Sequence, residues 1–238
     1  MTKPVKRIIW GVGIILGIVV LGVAFFLINF LIATKSMTPS ETGAINDSVW
    51  CIKDRFVNAY LFKGNKSYLM VDAGIEEKKF REELGKLKID PGQITTLLLT
   101  HTDGDHIGSI GLYKNIAIYM HKDEKQMIDG TTGKTKFSKT RWKYGPYKLL
   151  NNNDTLLIDG LKIKILHTPG HTPGSCCYII GTDYLATGDN LIVKNRKFEH
   201  FEEAFNMNTL QQIESIKLLP SPSLFKYILT GHHGVIKN

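Results

Sequence analysis

The chain has 238 residues, 43% of them hydrophobic and 22% charged, with a formal net charge of +8. Four of these charges lie in the first 35 residues, so the rest of the chain is only mildly basic, which neither favours nor excludes a nucleic-acid partner. The three cysteines do not form the pattern of a disulfide scaffold. We expect Cys51, Cys176 and Cys177 to be small buried hydrophobes, the last two facing opposite sides of one strand.

The N-terminal segment predicts a membrane anchor. Residues 8–34 contain no charged side chain, and about 20 apolar residues suffice to cross a bilayer as a helix. Lys3, Lys6 and Arg7 precede this stretch, so the positive-inside rule predicts a single-pass protein of the cell membrane with a cytoplasmic N-terminus. An uncleaved signal-anchor is favoured over a cleaved signal peptide, whose apolar core is usually about 7–15 residues. We therefore divide the chain into residues 1–34 (cytoplasmic tip and transmembrane helix), 35–46 (polar tether) and 47–238 (extracytoplasmic domain).

The extracytoplasmic domain alternates apolar, β-branched runs with turns and two helical patterns. Helices are predicted over residues 76–87 and 206–219. Strands are predicted over residues 49–52, 59–62, 67–71, 94–100, 116–120, 155–158, 162–166, 176–180, 184–187 and 227–229.

One loop is dense in potential metal ligands. His101, Asp103, Asp105 and His106 lie within six residues, directly after the apolar run at 94–100. Imidazole and carboxylate groups at such short range are what a hydrolytic metal site requires.

Further candidate residues stand where other apolar runs give way to Gly or Pro. They are Asp72, His171, Asp189 and His232, in that order along the chain. Together with the His101–His106 loop, this ordered set resembles the metallo-β-lactamase superfamily of binuclear metallohydrolases. The resemblance implies an α+β fold, a four-layer αββα sandwich, here preceded by the transmembrane helix.

The resemblance also implies a ligand set. One metal would take His101, Asp103 and His171, and the other would take Asp105, His106 and His232, with Asp189 bridging the two. Asp72 would orient a ligand imidazole or the ligand loop. His232 competes with His233 for one ligand place, and the family's usual pattern favours His232. His121 and His200 lie in charged surroundings and are expected at the surface.

The sequence departs from the family at Asp103, where a second histidine is usual. The same substitution is similar to that in the hydrolase domain of DNA-uptake channel proteins, so it need not abolish the site. A carboxylate makes the site less positive and suits harder ions better than imidazole does. The resemblance implies two divalent ions, with zinc favoured, and the carboxylate of Asp103 makes manganese or iron the alternatives.

The resemblance implies that a metal-bridging hydroxide attacks the substrate, with Asp105 both binding metal and orienting the hydroxide. Ester or phosphodiester hydrolysis is favoured. The alternatives are a β-lactamase- or lactonase-type carbonyl hydrolase, and a catalytically silent metal-binding or sensory module.

The substrate is expected to be a small molecule, lipid or envelope component. Residues 131–148 alternate cations with aromatics, a composition that suits a phosphate-bearing substrate and leaves nucleic acid as a weaker option. Its members are Lys134, Lys136, Lys139, Arg141, Lys143 and Lys148 with Phe137, Trp142, Tyr144 and Tyr147.

Overall fold

The structure is a computed structural model that describes residues 3–135, 139–140 and 142–238, in two compact units divided after Met37. The first unit contains helix α1 (Lys3–Lys35). Within the described residues, Trp10–Ile32 is the one helical stretch whose length and composition would allow it to cross a membrane. The predicted apolar helix is thus present, and both a membrane anchor and an N-terminal signal sequence have this length and composition.

The second unit begins with a seven-stranded sheet in the order β1 to β7. Successive strands from β1 to β4 are antiparallel, and those from β4 to β7 are parallel. The strands are β1 (Gly43–Asn46), β2 (Val49–Asp54), β3 (Val57–Lys63), β4 (Tyr68–Val71), β5 (Ile94–Leu98), β6 (Ala117–His121) and β7 (Tyr147–Leu150). The connections in the parallel half carry α2 (Glu77–Lys86), α3 (Gly104–Ile107) and α4 (Lys125–Ile128).

A second sheet has six strands in the order β15-β14-β11-β10-β9-β8. Its strands are β8 (Thr155–Ile158), β9 (Leu161–His167), β10 (Cys176–Ile180), β11 (Tyr184–Gly188), β14 (Tyr227–Thr230) and β15 (Val235–Lys237). A separate hairpin, β12 (Leu191–Lys194) and β13 (Lys197–His200), and helix α5 (Thr209–Lys217) lie between β11 and β14 in the chain.

Three apolar clusters show how these layers pack. The central one joins the facing sides of the two sheets, for example Tyr60 with Tyr178. A second buries Phe80 and Leu84 of α2 against the other side of the first sheet. The third covers the outer side of the second sheet. The predicted αββα arrangement is thus confirmed in its two sheets, whereas the fourth layer is partly the β12–β13 hairpin.

The predicted tether of residues 35–46 differs from the structure, because part of it is ordered in the domain. Residues 43–46 form β1, which pairs with β2. The backbone N–H of Ser40 donates to Asn58 Oδ1, and the Asn58 amide donates to the Ser40 carbonyl. Polar composition indicated a free linker, but these polar groups are paired with the sheet.

The cysteine prediction agrees with the structure. Cys51, Cys176 and Cys177 are buried and unbonded to one another. Cys176 belongs to the central cluster and Cys177 to the outer one, as alternation along β10 requires. These cysteines therefore contribute to the core.

Candidate metal centre

The predicted ligands converge because each follows the carboxyl end of a strand. β4 and β5 are parallel neighbours, and so are β11 and β14. Their carboxyl ends therefore open at the same edge of each sheet. Asp72 follows β4, and the His101–His106 loop follows β5. In the second sheet, His171, Asp189 and His232 follow β9, β11 and β14 in that order.

The first group of candidate ligands, subsite A, consists of His101, Asp103 and His171. Asp103 Oδ2 lies 3.5 Å from His101 Nε2 and 3.1 Å from His171 Nε2. Ligands of a tetrahedral zinc ion are separated by roughly 3.3 Å when each bond is about 2.0–2.1 Å. The spacing in subsite A is therefore that of a metal-ligand set.

The second group, subsite B, consists of Asp105, His106, Asp189 and His232. Asp189 Oδ2 lies 3.0 Å from His232 Nε2, and Asp189 Oδ1 lies 3.3 Å from His106 Nε2. Asp105 Oδ2 is 3.4 Å from His232 Nε2 and 3.9 Å from His106 Nε2. These separations also fit one metal ion.

Asp189 faces both subsites. Besides its contacts in subsite B, its Oδ2 lies 3.6 Å from His171 Nε2 and 3.9 Å from His101 Nε2. Gly231 allows this close packing, because a Cβ there would collide with the Asp189 carboxylate and the His106 ring. The structure therefore brings all seven predicted ligands together in the two sets that the resemblance implies.

Asp72 lies behind subsite B, in the supporting place predicted for it. Its Oδ2 is 2.9 Å from His106 Nδ1. Its carboxylate also accepts bonds of 2.8 Å from the Thr100 backbone N–H and hydroxyl. Asp72 thereby orients the imidazole and ties it to the loop that follows β5.

Other supporting groups were missed in the sequence. The Phe56 carbonyl accepts from His232 Nδ1 at 2.7 Å, and Asn206 Oδ1 lies 3.1 Å from His171 Nδ1. Each leaves the Nε2 atom of its histidine directed at the centre. A backbone carbonyl and a lone asparagine carry no sequence signal of such a role.

Glu124 is a second missed residue. It is fully buried, and its carboxylate accepts from the backbone N–H of Thr102, the Thr172 hydroxyl and the backbone N–H of Gly174. It therefore joins the two loops that carry His101 and His171. It stands in a charged run, residues 122–125, a pattern typical of a surface segment that carries no signal of this role.

The charges of the two subsites differ. In subsite A, burial and the charge of Lys134 lower the pKa of His171 to about 4. Burial opposes ionisation of Asp103, but Lys134 and His101 outweigh it and hold its pKa well below the usual value. In subsite B, burial disfavours charged His232, yet Asp189 and Asp105 raise its pKa to about 10. Subsite B is thus rich in negative charge that attracts a cation.

Unpartnered atoms indicate that the donor set fits metal ions. Among the described residues, His101 Nε2, His106 Nε2 and Asp189 Oδ1 are buried without a hydrogen bond. Buried polar atoms are rarely left unpaired. Imidazole nitrogen and carboxylate oxygen are ligands for zinc and for manganese or iron, so the residues present fit two divalent ions.

A third His–Asp group, which contains His121, Asp123 and His167, contributes to packing, and the nitrogens that face its carboxylate are not available for a metal ion. The expectation that His121 lies at the surface is wrong, because it is buried and stacks on His167 with ring centroids 3.7 Å apart. His121 Nδ1 accepts from the Asp123 backbone N–H, and His167 Nε2 donates to the Pro173 carbonyl. Neither nitrogen facing the Asp123 carboxylate has a free lone pair for a metal.

The basic and aromatic segment divides into two parts. Trp142 packs edge-on against Tyr144 and Tyr147, and all three pack against the core under α2, so these aromatics are structural. Lys134 and Lys139 line a cavity of about 430 Å³ beside the metal centre. The cavity wall also includes Asp103, Asp105 and Thr140. Lys136, Phe137 and Arg141 lie outside the described residues.

The chain belongs to the metallo-beta-lactamase superfamily, whose sequence pattern matches residues 52–232. A probable metallo-hydrolase of Methanocaldococcus jannaschii is 28% identical over 153 residues, 64% of each chain. A hydroxyacylglutathione hydrolase of Xylella fastidiosa is 25% identical over 167 residues, 63% of this chain and 56% of that protein. Alignments with three of the relatives cover 44% to 64% of their own lengths. The family match over residues 52–232 confirms the predicted superfamily, and the relatives named here are hydrolases.

Solved structures show the same fold. MEM-A1, a subclass B3 metallo-beta-lactamase from a soil metagenome, has a TM-score of 0.64 at 16% identity, covering 82% of this chain and 80% of that one. A flavo di-iron protein of Thermotoga maritima has a TM-score of 0.60 at 20% identity, covering 84% and 59%. At such low identity these likenesses concern the fold alone.

Proposed function

We propose that this protein is a membrane-anchored hydrolase that binds two divalent metal ions and cleaves an ester or phosphodiester bond. The observation that carries the proposal is Asp189, whose two carboxylate oxygens face subsites A and B at 3.0–3.9 Å from four histidine nitrogens. A carboxylate shared between two ligand sets is suited to holding two ions close together.

The ions would be held by His101, Asp103 and His171 in subsite A and by Asp105, His106, Asp189 and His232 in subsite B. When bound, they supply Lewis acidity and lower the pKa of water. Asp105, which lines the cavity, would also orient the attacking water. Zinc is the favoured metal, with manganese or iron as alternatives, because Asp103 adds a hard oxygen ligand.

The cavity supports a substrate with an anionic group. Lys134 and Lys139 are two cations on a wall that also carries Asp103 and Asp105. A phosphodiester or an acidic ester would meet Lys139 in this cavity, near the ligands. Small molecules, lipids and envelope components carry such groups, and nucleic acid remains the weaker candidate.

Membrane attachment rests on α1. Its 23-residue apolar stretch is about 34 Å long at about 1.5 Å per residue, enough for a hydrocarbon core of about 30 Å. Lys3, Lys6 and Arg7 precede it, which favours a cytoplasmic N-terminus and an extracytoplasmic hydrolase domain.

The test compares four chromogenic substrates, a phosphodiester, a carboxylic ester, a thioester and a β-lactam. The full chain, purified in detergent micelles, is loaded in parallel with zinc and manganese. We expect turnover of the phosphodiester or the ester. His171→Ala should reduce the rate at least about a hundredfold, because it removes a ligand of the Lewis acid. His200→Ala, at a partly exposed histidine outside the centre, is the matched control.

Other outcomes would decide between the alternatives. A preference for the β-lactam would support a carbonyl hydrolase of the lactamase or lactonase type. Bound metal without turnover of any substrate would support a catalytically silent metal-binding module.

A further inference from the structure

Lys134 reaches from the basic segment into subsite A. Its ammonium group lies 2.5 Å from Asp103 Oδ2 and 2.8 Å from His171 Nε2, and it donates to the Phe205 carbonyl at 2.7 Å. An ammonium group has three N–H donors, so these three partners satisfy it completely. Its side chain is 22% exposed, which makes it a largely enclosed contact rather than a surface ion pair.

The contact with His171 uses the lone pair that a metal needs. His171 Nδ1 faces Asn206 Oδ1, while the Asn206 amide nitrogen donates to the Phe201 carbonyl and to Gln212 Oε1. The network therefore places the His171 proton on Nδ1 and the lone pair on Nε2. Lys134 donates to that lone pair, so Lys134 and a metal ion exclude each other at His171.

In subsite B, no lysine or arginine in the part of the chain that the structure describes competes with a metal ion for the ligands. Among the described residues, no lysine or arginine is paired with Asp105, His106, Asp189 or His232. A proton on a histidine there escapes to solvent when a metal binds. Lys134 is tethered to the chain and remains beside the site after displacement, which gives it a high effective concentration.

The pairing also relates to the unusual residue of the first loop. Asp103 is the carboxylate that stands where the family usually has histidine, and it is the anionic partner of Lys134. A histidine there would offer no negative charge to the lysine. Asp103 and Lys134 thus act as a pair.

We propose that Lys134 competes with the metal ion for His171 and Asp103, so that subsite B binds its ion more tightly than subsite A. The proposal rests on the two-metal centre proposed above. Subsite A then fills only when Lys134 withdraws. The residue is a determinant of metal occupancy at the centre.

The experiment measures zinc bound per chain by equilibrium dialysis and elemental analysis, with the full chain in detergent micelles. We expect two steps in the wild type, with the second ion held more weakly by about tenfold or more, a charge-assisted hydrogen bond being worth about 1.5–3 kcal/mol. Lys134→Met keeps a side chain of similar length but removes the N–H donors. It should raise the affinity for the second zinc ion without changing the affinity for the first.

The matched control is Lys139→Met. Lys139 lines the same cavity and carries the same charge, but it donates to the Gly130 carbonyl instead of a ligand. We expect it to bind zinc as the wild type does. Cobalt(II) absorption spectra give a second readout, because a second set of d–d bands should appear at lower cobalt concentration in Lys134→Met.

Three results would overturn the proposal: equal affinities for both ions in the wild type, an unchanged second step in Lys134→Met, or the same change in Lys139→Met. The last would indicate a general effect of charge. A wild-type chain that binds no zinc would instead overturn the metal centre itself, so the two failures are distinguishable. If Lys134→Met does not fold, Lys134→Gln replaces it in the test. Glutamine keeps a neutral donor, so the affinity for the second zinc ion should lie between those of the wild type and Lys134→Met.

Discussion

Asp103 is a candidate metal ligand, the ion-pair partner of Lys134 and the residue at which this chain departs from the family pattern. Its carboxylate lies 3.1–3.5 Å from two histidine nitrogens and is paired with Lys134. If a metal ion displaced Lys134 as proposed, the carboxylate would present a full negative charge to that ion. Compared with histidine, this lowers the positive charge of the loaded centre by one unit and offers a harder donor.

Replacing Asp103 by histidine should therefore change metal preference. We expect Asp103→His to shift the ratio of zinc to manganese affinity toward zinc by about tenfold, because imidazole favours the softer ion. Competition between the two ions, measured by elemental analysis, checks this. Asp129→His, at an exposed carboxylate paired with Lys125, is the control. An unchanged ratio in Asp103→His would contradict the role given to Asp103.

The element that carries Asp105 and His106 is the single turn α3, and it is held by close backbone packing. The Gly108 N–H donates to the Gly74 carbonyl, and the His106 carbonyl accepts from the Ala73 N–H. So short a helix has little stability of its own. The loop after β4 therefore positions the ligands.

Gly108→Ala should disrupt this packing. A Cβ at Gly108 would overlap the Ile75 carbonyl, so we expect a loss of about 3 kcal/mol or more in the free energy of unfolding and weaker metal binding. Urea unfolding and zinc dialysis measure the two effects. Gly104→Ala lies in the same turn with open space around it and should leave both nearly unchanged. Equal behaviour of the two variants would contradict the packing argument.

Helix α2 adds a buried ion-paired carboxylate. Glu83 is 4% exposed and bonds Lys79 and Lys86 at 2.7 Å. Burial acts against its ionisation, but these lysines outweigh it and lower its pKa from 4.5 to about 2. Because the folded-state pKa is lowered, the stabilisation is present above pH 4.5 and is lost as the pH falls toward 2.

Glu83→Gln should consequently be less stable than the wild type at pH 7, by about 1–2 kcal/mol after allowing for the exposed lysines. The difference should shrink as the pH falls from 4.5 to about 2. Urea unfolding of the metal-free protein at several pH values measures it. Glu82→Gln, at the exposed neighbouring position, is the control. A difference that does not depend on pH would exclude the ion pairs as its source.

At the scale of the whole molecule, α1 and the domain are separate compact units, and the proposed anchor makes a prediction about location. We expect the full chain to stay with membranes after an alkaline carbonate wash. A chain lacking residues 1–37 should be released. Mass spectrometry of the mature N-terminus distinguishes an anchor, which keeps α1, from a signal sequence, which loses it.

Because the native cysteines are buried, the orientation of the domain relative to the membrane can be measured by labelling an introduced cysteine in intact cells. Because Cys51, Cys176 and Cys177 are buried, a cysteine introduced by Ser223→Cys on an exposed turn should be the main site of labelling. A membrane-impermeant maleimide should label it in intact cells. Labelling only after permeabilisation would contradict the extracytoplasmic domain.

The two sheets were largely predictable, since most of their strands are apolar runs bounded by Gly, Pro or charged residues. The missed strands had weaker signals. The β12–β13 hairpin turns at Asn195 and Arg196, both with positive φ, without the glycine that usually marks such a turn. β7 overlaps the end of the basic segment, and β15 has only three residues.

The sequence alone determined the order of the ligands, the family they resemble and the apolar N-terminal helix, because each depends on residue types at short spacing. Tertiary structure alone decided that Asp189 faces both subsites, that Glu124 joins two loops and that Lys134 contacts His171. These contacts link residues 18 to 88 positions apart. Pairing over such distances is set by how strands and loops pack, and no local pattern in the chain records it.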